Sequence, residues 1–304
     1  MKILYKESLL LLLLAAPVCT VHAAPSSVDC SKKSLQGVID RLPKEVPNIV
    51  TISGTCTEDI VVDGFADLTL VGTVGASITA TVFDNLDQGN STRALLVNNS
   101  KVTVETLTIN AGSVGVSCQN RSTCTIRNAT IQGGWGGMSL GDQSAGDILG
   151  STTIQNSLGI GLGIFGASTV NMRAEPRGEG LPGPVISGHG DGSGIGIGVL
   201  MLDGSFLRTD DVTISGNDTG VFAARGVNIR IFGGEVSGST FDGIDVTSGS
   251  TAQIRTTVSD NLRTGIFLGP LTFAQIFSDF SGNGLNVDCS HVTSISQPFS
   301  LCGN

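Results

Sequence analysis

The sequence predicts an all-β solenoid made of short stacked coils. Between Val212 and Leu285 a Ser-Gly-Asn-like turn recurs, and a glycine followed by an apolar residue comes a few residues later. Four such glycines lie 23, 22 and 19 residues apart: Gly220, Gly243, Gly265 and Gly284. A near-constant period of this size is typical of repeats that bury an apolar face only against a neighbouring repeat. The 42 glycines and 14% charged residues also favour a turn-rich β protein over a helical one.

The N-terminal residues 1–23 are typical of a signal peptide. Lys2 and Lys6 precede an apolar run at residues 9–18, and Val21-His22-Ala23 provides the small residues of a cleavage site. We therefore expect a secreted or periplasmic mature chain. The apolar run is about half the length that spans a bilayer, and no other follows it, so no membrane span is expected.

The mature chain is acidic. Removing residues 1–23 takes away Lys2, Lys6 and Glu7, which changes the net charge from −9 to −10. This charge argues against nucleic acid and anionic membranes as general partners. An anionic polysaccharide would need a local basic patch, and we expect the protein to be a monomer.

Six cysteines remain after Cys19 leaves with the signal peptide. An even number in an exported chain predicts disulfides, and of the fifteen possible pairings sequence proximity favours Cys30–Cys56, Cys118–Cys124 and Cys289–Cys302. The lack of a Cys-x-x-Cys pair argues against zinc, and no metal site is predicted. Loop 84–89 lacks the alternation of a calcium loop. We expect no cofactor, with calcium the one left open.

Residues 24–47 are predicted to form an N-terminal cap that contains the only helix. A helix over residues 30–46 would place four apolar residues on one face, and two prolines would end it: Leu35, Val38, Ile39 and Leu42, then Pro43 and Pro47. Such a helix would cover the open end of the core, and Cys30–Cys56 would hold it to the first coil.

Residues 48–288 are predicted to form the solenoid itself. Period-two strands at 49–52, 60–62 and 68–71 are separated by Gly, Asp and Asn turns, and continuing this pattern gives roughly 10–11 coils of three strands. Insertions at 83–93, 142–147 and 173–184 interrupt the repeat, and projecting loops of this kind often carry function. Residues 289–304 are predicted to form a disulfide-closed C-terminal cap.

The coil length, the three strands per coil and the Asn and Gly turns resemble the right-handed parallel β-helix proteins of the pectin-lyase-like superfamily. The opening segment Ile52-Ser53-Gly54-Thr55-Cys56 shares the resemblance. It covers almost the whole mature chain and implies a right-handed parallel β-helix. The superfamily includes lyases, hydrolases, epimerases and adhesins, so the resemblance implies a fold and no single chemistry.

The segment Gly188-His189-Gly190 looks like the Gly-His-Gly segment of polygalacturonases. The paired aspartates that precede it in those enzymes are absent from residues 163–167, and Asp210-Asp211 follows the segment instead. The repeat gives another explanation, because Ile186-Ser187-Gly188-His189 aligns with residues 214–217. We interpret His189 as a turn residue that takes the place of Asn217.

Stacked coils turn equivalent positions into columns, which predicts a candidate binding surface. After each repeat glycine the second residue should face outward, giving the column Ser139, Gly161, Gly196 or Gly198, Phe222, Asp245, Phe267 and Asn286. Phe222 and Phe267 on either side of a carboxylate are candidate sugar contacts, and the resembled enzymes bind polymers on this face. The alternative is a set of scattered exposed apolar residues.

The turn before this strand supplies a charged row, namely Asp191, Asp218, Asp242 and Arg263. Asp242 and Asp245, with Arg225 and Arg263, form the candidate catalytic group. Acid–base cleavage of a glycan needs two carboxylates, and lyase chemistry needs a base beside a cation. The alternative is a solvated row with incidental ion pairs.

Five arginines are predicted to share a second column: Arg127, Arg173, Arg208, Arg230 and Arg255. Arg208, Arg230 and Arg255 are candidate contacts for an anionic polymer. The alternative is a column of ion pairs with Asp210, Asp211 and Glu235.

These patterns support two functional hypotheses. The first is an exported β-helix protein that engages an extracellular or cell-wall polysaccharide, as a lyase or hydrolase in its catalytic form. The second is a non-catalytic surface or structural rod.

Overall fold

The computed structural model describes residues 25–81, 92–175 and 182–289. Over these residues the chain winds into a parallel β-solenoid of about 11 turns with one short helix, so the predicted all-β solenoid is confirmed. The elements in chain order are β1 Ser26–Asp29, α1 Leu35–Ile39, β2 Asn48–Ser53, β3 Thr55–Thr57, β4 Ile60–Asp63, β5 Leu68–Gly72, β6 Ser77–Thr79, β7 Arg93–Asn98, β8 Lys101–Glu105, β9 Thr108–Asn110, β10 Val114–Gln119, β11 Thr123–Arg127, β12 Thr130–Gln132, β13 Gly136–Leu140, β14 Ala145–Leu149, β15 Thr153–Gln155, β16 Ile160–Ile164, β17 Thr169–Arg173, β18 Val185–Ser187, β19 Ile197–Met201, β20 Phe206–Asp210, β21 Thr213–Ser215, β22 Thr219–Ala223, β23 Asn228–Ser237, β24 Asp242–Val246, β25 Thr251–Ser259, β26 Thr264–Leu268, β27 Phe273–Ile276, β28 Asp279–Ser281 and β29 Leu285–Asp288.

Each turn contributes strands to three faces. The first face is a ten-stranded parallel sheet that runs from β4 to β29, and the second and third faces belong to a 19-stranded sheet. β23 is long enough to pass from the second face to the third, with a register shift between Phe232 and Glu235. Gly233 and Gly234 make this bend with positive φ angles of 62° and 66°.

The core consists of inward-facing aliphatic side chains stacked from coil to coil. On the first face Val221, Ile244, Ile266 and Val287 follow one another and are at most 1% exposed. A glycine precedes each of the first three, where space is tight, because a Cβ at Gly220 would lie 2.4 Å from the carbonyl oxygen of Gly243. The repeat glycines therefore allow neighbouring coils to approach closely.

The structure corrects the register of the last repeat. Thr264 pairs with Leu285 and Ile266 with Val287, so Asn286, and not Gly284, lies beside Gly265. The cause is the preceding turn, in which Asn283 accepts the backbone N–H of Asn261 at 3.1 Å. With Asn283 fixed there, Gly284 is too close to the turn to reach the row of the other repeat glycines.

The predicted helix over residues 30–46 is much shorter in the structure, where α1 covers only Leu35–Ile39. Leu35 and Ile39, the first and last residues of this helix, are buried as predicted. The side chain of Ser34 caps the helix by accepting the N–H of Gly37, and Gly37 and Pro43 both disfavour extension. β1, which the pattern did not predict, pairs with β2, so the sheet begins inside the segment predicted as a cap.

The first strand of the ten-stranded sheet has its free edge covered by a side chain. The amide of Gln36 donates to the carbonyl oxygen of Val61 at 3.1 Å and accepts the Val61 N–H at 2.7 Å. These are the two hydrogen bonds that another strand would make there. Glu58 in turn accepts the N–H groups of Leu35 and Gln36, which holds α1 at this edge.

Two predicted disulfides, Cys30–Cys56 and Cys118–Cys124, are present. The third, Cys289–Cys302, includes Cys302, which lies outside the described residues. The signal segment 1–23, loop 84–89, most of the insertion at 83–93 and half of that at 173–184 also lie outside them. In the portion that is described, no helix has the length and apolarity to cross a membrane.

Candidate functional site

The outward column of the first face contains the aromatic and acidic side chains that the repeat predicted. Phe222 pairs with Asp245, Asp245 with Phe267, and Phe267 with Asp288. All four side chains are half-buried. The structure therefore brings a carboxylate between two phenylalanines in consecutive coils and adds a second carboxylate at the end of the column.

Of the other predicted members, Ser139 lies in this column and the rest do not. The next neighbours of Ser139 are Gly163 and Leu200. Gly161 and Gly198 lie in the row of buried repeat glycines, and Asn286 lies beside Gly265. Counting from the nearest glycine failed wherever a coil offers more than one glycine.

Asp242 and Arg263 form a charged pair at the N-terminal ends of β24 and β26. Asp242 is the first residue of β24, and its side chain is only 2% exposed. Arg263, just before β26, donates from Nε to Oδ1 of Asp242 at 2.8 Å and from Nη2 to Oδ2. These hydrogen bonds raise the pKa of Arg263, and its guanidinium also lies 5.9 Å from the ring centroid of Phe241.

Asp245 has a different environment from Asp242 although only three residues separate them. Its Oδ1 is enclosed and has no hydrogen-bond partner within the described part of the chain. Burial raises the pKa of Asp245 to about 6, and the charge of Asp242 raises it further while that of Arg263 opposes the shift. Asp245 can therefore hold or release a proton near neutral pH.

An open surface pocket of about 580 Å³ lies beside these residues, and Arg263, Phe267 and Asp288 contribute to its wall. Asp288 was missed in the sequence because the last repeat was aligned on Gly284. The turn after Asn283 is one residue shorter than the turn after Asn261, so counting from Asn283 would have pointed to Cys289 and also missed Asp288. No group of three or more His, Cys, Asp or Glu side chains suited to a metal is found among residues 25–81, 92–175 and 182–289.

Arg225, the fourth predicted catalytic residue, is not brought to this site. It follows β22 in the turn that leads to the second face and pairs there with Asp203 at 3.4 Å. Asp242 and Arg263 are at the opposite, N-terminal end of the strands, and Asp245 is the fourth of the five residues of β24. The sequence pattern cannot show this separation, because residues at the two ends of a five-residue strand are close to one another along the chain.

The predicted row of turn carboxylates does not stack. Asp218 is buried and accepts the N–H groups of Gly192, Gly194 and Gly196 at 2.9, 2.9 and 3.0 Å. It aligns with Phe241, whose N–H donates to the Asp218 carbonyl oxygen, and not with Asp242. Asp191 is exposed. The carboxylates thus avoid the repulsion that direct stacking would cause.

His189 is a turn residue, as the repeat indicated. Its Nδ1 accepts the N–H of Ser157 and its Nε2 donates to the carbonyl oxygen of Ile154, both at 3.1 Å. Asn283 makes the same two kinds of hydrogen bond with Asn261 and Val258. Burial lowers the pKa of His189 to about 4, so the ring is neutral and engaged on both nitrogens.

The five arginines occupy two columns of the second face and not one. One column contains Arg127, Arg173 and Arg255, with other residues at the same position in the strands between them. The other column contains Arg208 and Arg230, which pair directly and lie two residues before the first column along each strand. Within the described residues three of the five arginines make ion pairs, but only Arg208 does so with a suggested partner, Asp210 at 3.3 Å. Arg127 instead bonds Glu105 at 2.7 Å and Glu175 at 2.8 Å, and Arg173 lies 3.9 Å from Glu175.

Comparison with known proteins gives a fold and no sequence relative. No protein-family model matches the chain, and no curated protein matches its sequence significantly. The pectate lyase Pel9A has a similar structure, with a TM-score of 0.58 and 10% identity, covering 94% of this chain and 82% of that one.

Two further structures match with lower TM-scores. A pectin methylesterase variant in complex with a hexasaccharide gives 0.35 at 11% identity, covering 88% of this chain and 90% of that one. The A-module of the Azotobacter vinelandii mannuronan C-5 epimerase AlgE4 gives 0.36 at 12% identity, covering 88% and 100%. The similarity to Pel9A confirms the resemblance to right-handed parallel β-helix proteins at the level of the fold alone.

Proposed function

We propose that this protein binds an extracytoplasmic polysaccharide on the outer face of the first sheet, at Phe222, Asp245 and Phe267. One observation carries the proposal: the half-buried carboxyl group of Asp245 lies in a column between two phenylalanines. Phenylalanine rings suit the apolar faces of sugar rings, and a carboxyl group can accept or donate a hydrogen bond to a hydroxyl.

Two further observations support the class of ligand and its location. The structurally similar Pel9A is a pectate lyase, which supports a polysaccharide as the ligand. The disulfides Cys30–Cys56 and Cys118–Cys124 support an oxidising, extracytoplasmic compartment.

The charges around the column favour an uncharged glycan. Asp242, Asp245 and Asp288 all act on Arg263, so three carboxyl groups surround one guanidinium, and Asp242 already accepts two hydrogen bonds from it. A polymer of uronic acids would meet a net negative site and be repelled. A neutral polysaccharide avoids this cost.

If the site is catalytic, its groups favour hydrolysis over elimination. A glycosidase needs a carboxyl group that is protonated at working pH and a second carboxylate. The raised pKa of Asp245 suits the first role, and Asp288, two strands away and thus about 10 Å along the column, suits the second. Elimination needs a cation to neutralise the substrate, and the charge of Arg263 is already offset by Asp242.

The proposal is tested by measuring both binding and cleavage. Neutral glucan, mannan and xylan oligosaccharides and a polyuronate series are titrated calorimetrically, and reducing ends are assayed in parallel. Asp245→Asn is compared with Asp203→Asn, an exposed carboxylate in a distant turn. We expect a neutral glycan to bind, and Asp245→Asn to weaken binding at least tenfold while Asp203→Asn has no effect.

The outcomes separate the two functions. Binding with release of reducing ends supports a hydrolase, and binding without release supports a non-catalytic glycan-binding protein. Absence of binding of every neutral glycan would overturn the proposal, and absence of binding of the acidic glycans as well would leave the structural rod as the function. Within the described residues, the pocket beside Asp245 is open at the surface and not a deep cleft. This observation keeps the structural rod as the second candidate.

A further inference from the structure

The outer surface of the second face between β20 and β27 combines phenylalanines with arginines. We define the aromatic–arginine patch as Phe206, Arg208, Arg230, Phe232, Arg255 and Phe273. These residues occupy successive strands of one sheet, and the four strands span about 15 Å along the solenoid. The patch lies on a different sheet from the column at Asp245.

The side chains of the patch are interleaved in a specific way. Arg208 and Arg230 are direct cross-strand neighbours, yet each leans away from the other. The Arg208 guanidinium lies 5.8 Å from the ring centroid of Phe232, and that of Arg230 lies 5.7 Å from the ring centroid of Phe206. These diagonal cation–π contacts separate two like charges and hold both at the surface.

The patch carries an excess of positive charge on an acidic protein. Asp210 offsets Arg208, whereas Arg230 and Arg255 are exposed and make no ion pair with any residue in the described ranges. The whole chain has a net charge of −9. Two uncompensated guanidinium groups on one face therefore form a local site for anions.

Exposed aromatic rings extend the patch towards the C-terminal coils of the solenoid. Phe273 is 44% exposed, and Phe277, which follows β27, is 62% exposed. Large apolar side chains placed in water next to charged ones indicate a surface that meets a partner. The partner must present apolar surface as well as negative charge.

We propose that the aromatic–arginine patch binds an acidic polysaccharide along the solenoid axis. Guanidinium groups match carboxylate and sulfate groups in planar, two-pronged hydrogen bonds, and the rings of Phe273 and Phe277 pack on sugar faces. The two uncompensated arginines lie on neighbouring strands, about 5 Å apart along the solenoid, which suits a polymer with about one charge per sugar. Duplex DNA carries one charge per about 1.7 Å and is repelled by the rest of this chain. This surface is independent of the site at Asp245 and has the opposite charge preference.

The test is a matched pair of double variants with the same change in total charge. R230Q/R255Q removes the two uncompensated arginines of the patch. R121Q/R225Q removes two arginines that are exposed in turns outside it. Each protein is titrated with an oligogalacturonate decamer, a dextran-sulfate oligomer, a neutral glucan decamer and a single-stranded DNA decamer, at low and at physiological salt, and thermal unfolding checks the fold.

We expect the acidic glycans to bind the wild-type protein in a salt-sensitive manner. R230Q/R255Q should weaken this binding at least tenfold, and R121Q/R225Q should change it less than twofold. Equal losses in both double variants would show a general charge effect and overturn the proposal. Tighter binding of DNA than of either acidic glycan, or no binding of acidic glycans, would overturn it as well. Asp245→Asn should leave this binding intact, which separates the outcome from that of the first-face site.

Discussion

Arg263 donates hydrogen bonds to both carboxylate oxygens of Asp242 from the next turn of the solenoid. The arginine side chain is 60% exposed, whereas that of Asp242 is 2% exposed. The enclosed carboxylate thus depends on one exposed guanidinium for compensation. Asp245, on the same strand, lacks such a partner for its Oδ1 and has a raised pKa. One pair of neighbouring aspartates is therefore divided into an ion-paired and a proton-binding member.

The first prediction concerns this pair. Arg263→Met leaves the enclosed carboxylate of Asp242 without either hydrogen bond, and we expect the free energy of unfolding to fall by about 2 kcal/mol. Urea denaturation at neutral pH measures the change. Arg225→Met is the control, because its pair with Asp203 is exposed at both partners and should matter by less than about 0.5 kcal/mol. Equal losses in the two variants would contradict the role given to Arg263.

The second prediction concerns the pH dependence that Asp245 causes. Its pKa is raised from 3.8 to about 6 in the folded chain, so the folded state holds the proton more tightly than the unfolded state. The stabilisation from this group is complete below pH 3.8 and is lost as the pH rises through about 6. Relative to the wild type, Asp245→Asn should therefore gain thermal stability between pH 4 and pH 7. A melting-temperature difference that stays constant over this range would refute the assignment.

The third prediction concerns His189, whose effect has the opposite sign. Burial lowers its pKa from 6.5 to about 4, so the unfolded state binds the proton more tightly. The contribution of this group to stability is present above pH 6.5 and is lost as the pH falls through about 4. His189→Asn, which supplies the turn residue found at Asn217 and Asn283, should fold and lose less stability in acid.

His189→Leu provides the contrast to that variant. Leucine can neither accept the N–H of Ser157 nor donate to the carbonyl oxygen of Ile154, so we expect it to cost about 2 kcal/mol more than asparagine. Thermal unfolding between pH 4 and pH 7 compares the two variants. If leucine were tolerated as well as asparagine, the hydrogen-bonding role of His189 would be wrong.

The fourth prediction concerns the covered sheet edge. Gln36→Ala removes both side-chain hydrogen bonds to Val61 and exposes the edge of β4. We expect a loss of about 1 kcal/mol and concentration-dependent association, because an open edge can pair with another chain. Denaturation and sedimentation velocity measure the two effects. Arg41→Ala, an exposed change just after α1, should produce neither, and a monomeric Gln36→Ala of unchanged stability would argue against the edge-covering role.

The candidate site was partly predictable from the sequence. The repeat places Phe222, Asp245 and Phe267 at one position, and the strand register shows that they share one column. It could not exclude Arg225, which the fold carries to the far end of the strand, and it missed Asp288 because Gly284 resembles the other repeat glycines. The same limit applies to the arginines. Arg208 and Arg255 each follow an aliphatic residue, yet their positions in the register differ by two residues.

The sequence by itself determined the solenoid, the inward and outward faces of its strands, and the disulfides Cys30–Cys56 and Cys118–Cys124. These features depend on local alternation and on short separations along the chain. Only the tertiary structure decided which residues of successive coils lie side by side. The turns differ in length by a residue or two, and hydrogen bonds between coils, such as that from Asn261 to Asn283, fix the register. That register joins Arg263 to Asp242, leaves Asp245 between Phe222 and Phe267, and divides the arginines into two columns.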